Sequence, residues 1–426
     1  MNPSPHTAPR GEAVITGIGL VTPVGIGREQ SWQGFLEGKS GIAPPRDWDC
    51  SGEDVQLAGE VDVNFEEQFL AKVKIPFARR FGRFTKFALM AGQEAVEQAG
   101  INIEQTDPTR IGVVLGIGGG ATHYLGPMGD AIKAGDAKLF DRTIDHYFVI
   151  KTMYNAPAGM ISIQHGFQGP STMVSAACAS GSVAVTTGLD WIRSGRADVV
   201  IVGGAESTVN REALQAYWRV RALTNKNELG AAACRPFDRD RSGFVMAEGA
   251  GILVLESAQH AAARGAKVLA RVMGASMVSE AFKIATPQLD GSGMARAMTD
   301  ALADAGLPRT AITHISAHAP STPQGDLAEA RAINLAFGDH TKNLSVTAPK
   351  SAFGHALAAS SAIQTALLAL SLQRGVQIPT QNLDQQDPEI ELDIVSGAAR
   401  PSTDAYAMIN AFGFGGHNVS LVLGKA

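Results

Sequence analysis

Short continuous runs of apolar residues alternate along this chain with longer stretches whose apolar positions repeat at helical spacing. Residues 13–19 (AVITGIG), 110–118 (RIGVVLGIG), 197–205 (ADVVIVGGA) and 251–256 (GILVLE) have no polar alternation. Strands covered on both faces read this way. Residues 268–276 (VLARVMGAS), 313–319 (THISAHA), 343–348 (NLSVTA) and 406–412 (YAMINAF) form a second set. Between them lie amphipathic patterns such as 293–306 (GMARAMTDALADAG) and 325–337 (GDLAEARAINLAF). The alternation predicts an α/β fold with large mixed sheets. Residues 261–267 (AAARGAK) mark the junction between the two sets. Two helices, from near Cys178 to Arg193 and from near His355 to Gln373, are apolar nearly all round. Such helices belong at the centre of a large protein. The pattern therefore predicts two similar halves, residues 1–260 and 261–426, that bring their central helices together.

Composition narrows the class. The chain has 426 residues, 45% hydrophobic and 18% charged, enough for a large buried core. A net charge of −5 gives no sign of nucleic-acid binding. The most apolar stretch, HALAASSAIQTALLALSLQ, is interrupted by Ser and Gln and reads as a buried helix, so no membrane insertion is expected. Residues 1–17 lack the apolar core of a signal peptide. Cys50, Cys178 and Cys234 are too widely spaced for a metal site or a disulfide framework, which suits a reducing cytoplasm.

Cys178 stands out in VSAACASGSVAV, surrounded by the smallest side chains. Small residues around a cysteine also suit close helix packing. Its expected position at a helix opening adds chemistry, since free N–H groups there favour a thiolate and can hold an oxyanion. Of ten histidines, two have a context. His318 ends a predicted strand in ISAHAPSTPQGD, and His355 opens a helix in TAPKSAFGHALAA with Lys350 five residues before it. Strand ends and helix starts are where α/β proteins gather reactive groups. The glycines of NAFGFGGHN allow backbone N–H groups close to a ligand, but no Lys-Ser/Thr follows to make a phosphate loop. The run GIGGG (116–120) lacks the spacing of a dinucleotide fingerprint.

These motifs, in order with VITGIGLVTPVG, RPFDRDRSGFVMAEGAG and PKSAFGH, resemble a β-ketoacyl-acyl-carrier-protein synthase, closest to type II, over nearly the whole chain. The resemblance implies the thiolase fold: duplicated βαβαβαββ halves in five layers α-β-α-β-α. It implies decarboxylative Claisen condensation of a Cys-bound acyl group with a malonyl-carrier protein, in fatty-acid or polyketide synthesis. By the resemblance Cys178 is the nucleophile, with the N–H groups of Cys178 and Phe414 as its oxyanion hole. His318 and His355 stabilise the enolate, and Lys350 supports them. Phe414 is also a gate, Thr322 contacts pantetheine, and Gly119 and Tyr217 line the acyl pocket. Lys72, Lys74, Arg79, Arg80, Arg83 and Arg221 form a docking patch for an acidic acyl carrier protein. No metal or cofactor is implied beyond the phosphopantetheine carried by that partner. A homodimer is the expected assembly, with a heterodimer as the alternative.

The chain departs from the family pattern at four places. Ala319 and Pro320 replace a Gly-Thr pair, and proline has no N–H or hydroxyl to offer pantetheine. Gln364 stands where a glutamate pairs with the lysine, which would lower the pKa of Lys350. Gly119 replaces a bulky aliphatic residue, which predicts room for longer acyl chains, and Ala177 replaces a common threonine. Together they point to a specialised synthase. A thiolase would need a second active-site cysteine near the C-terminus, and none follows Cys234. An acyltransferase that uses Cys178 without condensation, and a chain-length partner subunit, are the remaining alternatives.

Overall fold

The computed structural model describes residues 11–426. The expectation about the N-terminal segment concerns residues 1–17, of which 1–10 lie outside that range. The first half is built on β1 (Ala13–Thr22), β2 (Ile111–Gly116), β3 (Ser171–Val174), β4 (Val199–Ser207) and β5 (Glu248–Ser257). Their spatial order is β3-β2-β4-β5-β1. The second half is built on β6 (Ala270–Ser279), β7 (His314–Ser316), β8 (Ser345–Thr347), β9 (Tyr406–Gly413) and β10 (His417–Lys425). Their order, β8-β7-β9-β10-β6, repeats that of the first half strand for strand. The directions repeat too. In each half the second strand is parallel to the third and fourth, and the fifth runs antiparallel to the fourth and the first. The half-sheets meet where Ala13–Ile15 of β1 pairs with Ala270–Val272 of β6. All eight apolar runs in the sequence are strands, and every residue of β1, β2 and β4 is buried.

Helices complete five layers. α1 (Arg83–Ala99) and α2 (Ala156–His165) cover the outer face of the first half-sheet. α3 (Ser180–Arg193) lies on its inner face, and α4 (Arg211–Arg219) follows β4. α5 (Ser292–Ala305) and α6 (Pro323–Phe337) cover the outer face of the second half. A short α7 (Lys350–Phe353) leads to α8 (Ser360–Arg374), which packs beside α3 between the two sheets. Every residue of α8 from Ser360 to Leu372 is buried. Each of its large aliphatic side chains stabilises the fold by about 1.5–3 kcal/mol. Gly375, left-handed at φ 67°, ends it.

Both central helices start later than their apolar patterns suggest. Cys178 precedes α3 in a tight turn, with Ala177 left-handed at φ 48°. Ser180 Oγ closes that turn, accepting from Ala176 N at 2.9 Å and donating to Ala177 O at 2.6 Å. His355 precedes a single 3-10 turn, Leu357–Ala359, before α8 begins. The Ser180 bonds to the backbone compete with helical pairing and hold Cys178 just outside α3, while backbone bonds to Val245 and Ala247 hold His355 outside α8.

Candidate active site

Cys178, His318 and His355 converge on one cavity of about 380 Å³, walled also by Tyr217, Thr322 and Phe414. Each is carried by a different element. Cys178 sits in the turn before α3. His318 follows β7, where Glu329 of α6 accepts its backbone N–H at 2.9 Å and that of Ala319 at 2.7 Å. His355 is fixed through backbone bonds to Val245 and Ala247, at 2.7 and 3.0 Å. The imidazoles of His318 and His355 lie edge to face, 5.4 Å between centroids. Phe244 meets His355 edge to face at 4.9 Å, and Tyr217 of α4 meets Phe244 edge to face at 6.0 Å.

Two backbone N–H groups, those of Cys178 and Phe414, face the Cys178 sulfur. The chain can bring Phe414 there because residue 413 is glycine. A Cβ on Gly413 would lie 2.7 Å from Ala176 O and 3.2 Å from Cys178 N. A thiol lowered by a helix opening is not what the structure holds. Burial pushes Cys178 up to about 11, and the Lys350 charge and the two N–H groups offset this only in part. Burial, then the Lys350 charge, hold both His318 and His355 well below the usual imidazole range. Both rings are therefore neutral near pH 7.

Lys350 is fully buried behind His318. Its Nζ donates to Gln364 Oε1 at 2.6 Å and to the His318 carbonyl, and lies 3.5 Å from His318 Nδ1. Burial lowers it to about 8, while the charge of Glu329 acts in the opposite sense. Ser360 Oγ is 2.9 Å from His355 Nδ1. Glu329, Ser360 and Asn410, which holds Glu329 Oε1 at 3.1 Å, are site residues that the sequence reading missed. Only Glu329 left a signal: it is an acid on the buried face of a predicted helix.

Models of the β-ketoacyl synthase N-terminal and C-terminal domains match residues 11–261 and 269–384. The chain belongs to the β-ketoacyl synthase family. A 3-oxoacyl-[acyl-carrier-protein] synthase 2 from Synechocystis sp. is 36% identical over 415 residues, 97% of each chain. One from Staphylococcus aureus is 37% identical over 416 residues, 97% of this chain and 98% of the relative. Among solved structures, the ishigamide ketosynthase/chain length factor matches with a TM-score of 0.89 at 32% identity, covering 98% of this chain and 100% of that one. A type II PKS acyl-carrier protein in complex with its ketosynthase bound to the hexaketide matches with a TM-score of 0.89 at 28% identity and the same coverage.

Within this β-ketoacyl synthase, two of the expected residues, Gly119 and Arg83, also make structural bonds that the sequence did not show. Gly119 is not on the described cavity wall. Its N–H and that of Gly118 donate to Glu206 Oε2 at 3.0 and 3.1 Å, and a Cβ there would lie 2.7 Å from Thr208 Cγ2. A side chain at 119 would meet Thr208 first and Thr122 next, at 3.6 Å. Glu206, buried and pushed up to about 7, is a loop anchor that the sequence did not reveal. Arg83 turns inward: its guanidinium pairs with the buried carboxylate of Glu248 at 2.5 and 2.8 Å. The pair ties α1 to β5 and leaves a third of the Arg83 side chain exposed. Lys72 pairs with Glu97 at 3.4 Å, and Lys74 donates to Leu70 O at 2.9 Å. Arg79 and Arg80 are exposed beside them, and Arg221 is exposed at the cavity rim with Lys283. Pro320 lines the cavity beside Thr322, whose Oγ1 accepts from Gly325 N at 3.2 Å as the cap of α6. Its hydroxyl proton is left to donate to a ligand.

Proposed function

We propose that this β-ketoacyl synthase condenses a Cys178-bound acyl group with malonyl-acyl-carrier protein, releasing carbon dioxide and a β-ketoacyl-carrier protein. The observation that carries the reading is the thiol faced by two backbone N–H groups, in one cavity with two neutral imidazoles. In the first half-reaction Cys178 Sγ attacks the acyl thioester. The Cys178 and Phe414 N–H groups stabilise the tetrahedral oxyanion, and the pantetheine thiol leaves with the proton lost by Cys178. In the second, the malonyl C–C bond breaks and its electron pair forms the enolate of the carrier thioester. The Lys350 ammonium beside His318 Nδ1 makes that nitrogen an acceptor, so Nε2–H points outward. At His355 the Ser360 hydroxyl, donating to Nδ1 in this mechanism, selects the same tautomer. Two Nε2–H groups then hold the enolate oxygen. The carbanion attacks the Cys178 thioester, and the thiolate leaves and is reprotonated. Decarboxylation supplies the carbanion, so the reaction needs no cofactor of the enzyme's own; phosphopantetheine arrives on the carrier protein.

A ketosynthase in complex with its acyl-carrier protein among the structural relatives supports the choice of partner. Exposed Arg79, Arg80 and Arg221 supply positive charge for an acidic one. The assembly we propose is a homodimer. Strand β3 pairs with β2 through one edge and exposes Ser171 and Thr172. Residues Phe140, Val149, Ile150 and Tyr154 expose apolar surface. An open sheet edge and an apolar patch both call for a partner. A monomer by sedimentation at micromolar concentration would overturn this. Among the described residues no helix is long and apolar enough to cross a membrane. Three buried free thiols suit a cytoplasmic setting.

The test is purified protein with acyl- and malonyl-carrier protein. Carbon dioxide release with a β-ketoacyl product is expected, and intact mass should show no acyl-enzyme in Cys178→Ala. Acyl transfer without carbon dioxide would leave the acyltransferase. Acylation persisting on Cys50 or Cys234 would overturn the nucleophile.

A further inference from the structure

We propose that Gln364 is a positioning residue for the decarboxylating half-reaction, its amide clamping the Lys350 ammonium against the backbone that carries His318. The inference rests on the function proposed above and deepens it. Gln364 is fully buried in α8. Its Oε1 accepts from Lys350 Nζ at 2.6 Å, and its Nε2 donates to Ala317 O at 2.6 Å, with Ser316 Oγ at 3.4 Å. These partners fix the orientation of the amide. The oxygen must face the ammonium, and the nitrogen must face the carbonyl. Lys350 in turn donates to the next carbonyl, that of His318. The two side chains thus hold two consecutive carbonyls, while Glu329 holds the N–H groups of His318 and Ala319 from the other side. The His318 backbone is gripped at both its donor and its acceptor.

An amide does this where a carboxylate cannot. Glutamate at 364 would set a second oxygen against Ala317 O, and leucine would make neither bond. The amide also leaves Lys350 without a full negative charge in direct contact. The titratable groups that act on Lys350 are Glu329 and Asp326 of α6, Cys178 before α3, Cys234, and the two histidines. Lys350 is lowered to about 8. The ammonium is therefore present below that pH and is lost as the pH rises through it. His318 then loses the donor that fixes its tautomer, and decarboxylation falls on the alkaline side.

The experiment measures carbon dioxide release from malonyl-carrier protein between about pH 6 and pH 10, and Cys178 acylation by intact mass, for wild type, Gln364→Glu and Gln364→Leu. In Gln364→Glu the new carboxylate favours the ammonium, so the alkaline limb of decarboxylation moves up by about one pH unit or more. In Gln364→Leu decarboxylation at pH 7 drops by about ten- to a hundredfold while acylation drops by less than about threefold. An unmoved limb in folded Gln364→Glu, or equal losses in both half-reactions of Gln364→Leu, overturns the proposal. If Gln364→Glu does not fold, Gln364→Leu decides alone. Wild-type protein that releases no carbon dioxide would sink the functional reading itself, and variants that copy an active wild type sink only the role of Gln364.

Discussion

Adding one methyl group at Gly181 should separate the two halves of the chemistry. Gly181 lies in the first turn of α3, three residues after Cys178, where α3 meets α8. A Cβ there would lie 2.7 Å from Ala362 N, about 0.7 Å short of the 3.4 Å at which ordinary contact begins. It would also lie 2.8 Å from Ala362 Cβ and 2.9 Å from Ser361 Oγ. The closest atom is backbone, so no side chain can rotate away. The helices must part by most of an ångström, stretching the 3.0 Å bond from Ser182 N to Ser361 Oγ. Overpacking of this kind costs about 1–3 kcal/mol, and better helix propensity returns up to about 1 kcal/mol. The net loss, at most about 3 kcal/mol, lowers Tm by no more than several degrees. The effect on turnover is larger, because α3 follows Cys178 and α8 follows His355. A 1 Å error in such a pair costs about a hundredfold. Acylation needs only the thiol and its local N–H groups and should fall much less. The assay is thermal unfolding of Gly181→Ala, with single-turnover acylation and full condensation measured separately. Condensation within twofold of wild type, or an equal loss in both steps, would refute the claim that this contact sets the distance between thiol and imidazoles.

Four further outcomes follow from the site. His318→Ala and His355→Ala should each slow carbon dioxide release by about a hundredfold, with the double variant little worse, because both donors serve one transition state; normal release in both single variants would remove that step. Gly119→Ile should lower kcat/KM alike across an acyl-chain series, because the side chain meets Thr208, at a cost of about 1–3 kcal/mol; selective loss of the longest chains would restore Gly119 to the pocket floor. Reversing charge at Arg79 and Arg80 should raise KM for carrier-bound substrate by about three- to tenfold and spare a small thioester. Arg83→Glu should instead destabilise the fold by on the order of 3 kcal/mol, because it leaves Glu248 buried and unpaired; a stable Arg83→Glu with a docking defect would reverse that assignment.

What the sequence determined by itself was local or repeated. The apolar runs of β1, β2 and β4 announce burial on both faces whatever covers them. The all-apolar patterns of α3 and α8 put both helices at the centre, and small residues around Cys178 together with a strand ending near His318 marked residues that the fold brings to one cavity. Tertiary structure alone decided partnership and charge. Gln364 and Lys350 are 14 residues apart, and Glu329 reaches His318 from 11 residues on. No period in the chain says which of two buried acids faces a buried lysine. The inward turn of Arg83 depends on Glu248, 165 residues away. The thiol expected to be acidic is pushed up to about 11, because its desolvation is the sum of everything packed around it. Periodicity records that a side chain is buried; its pKa and its partner depend on which groups the fold sets against it, and those come from the whole length of the chain.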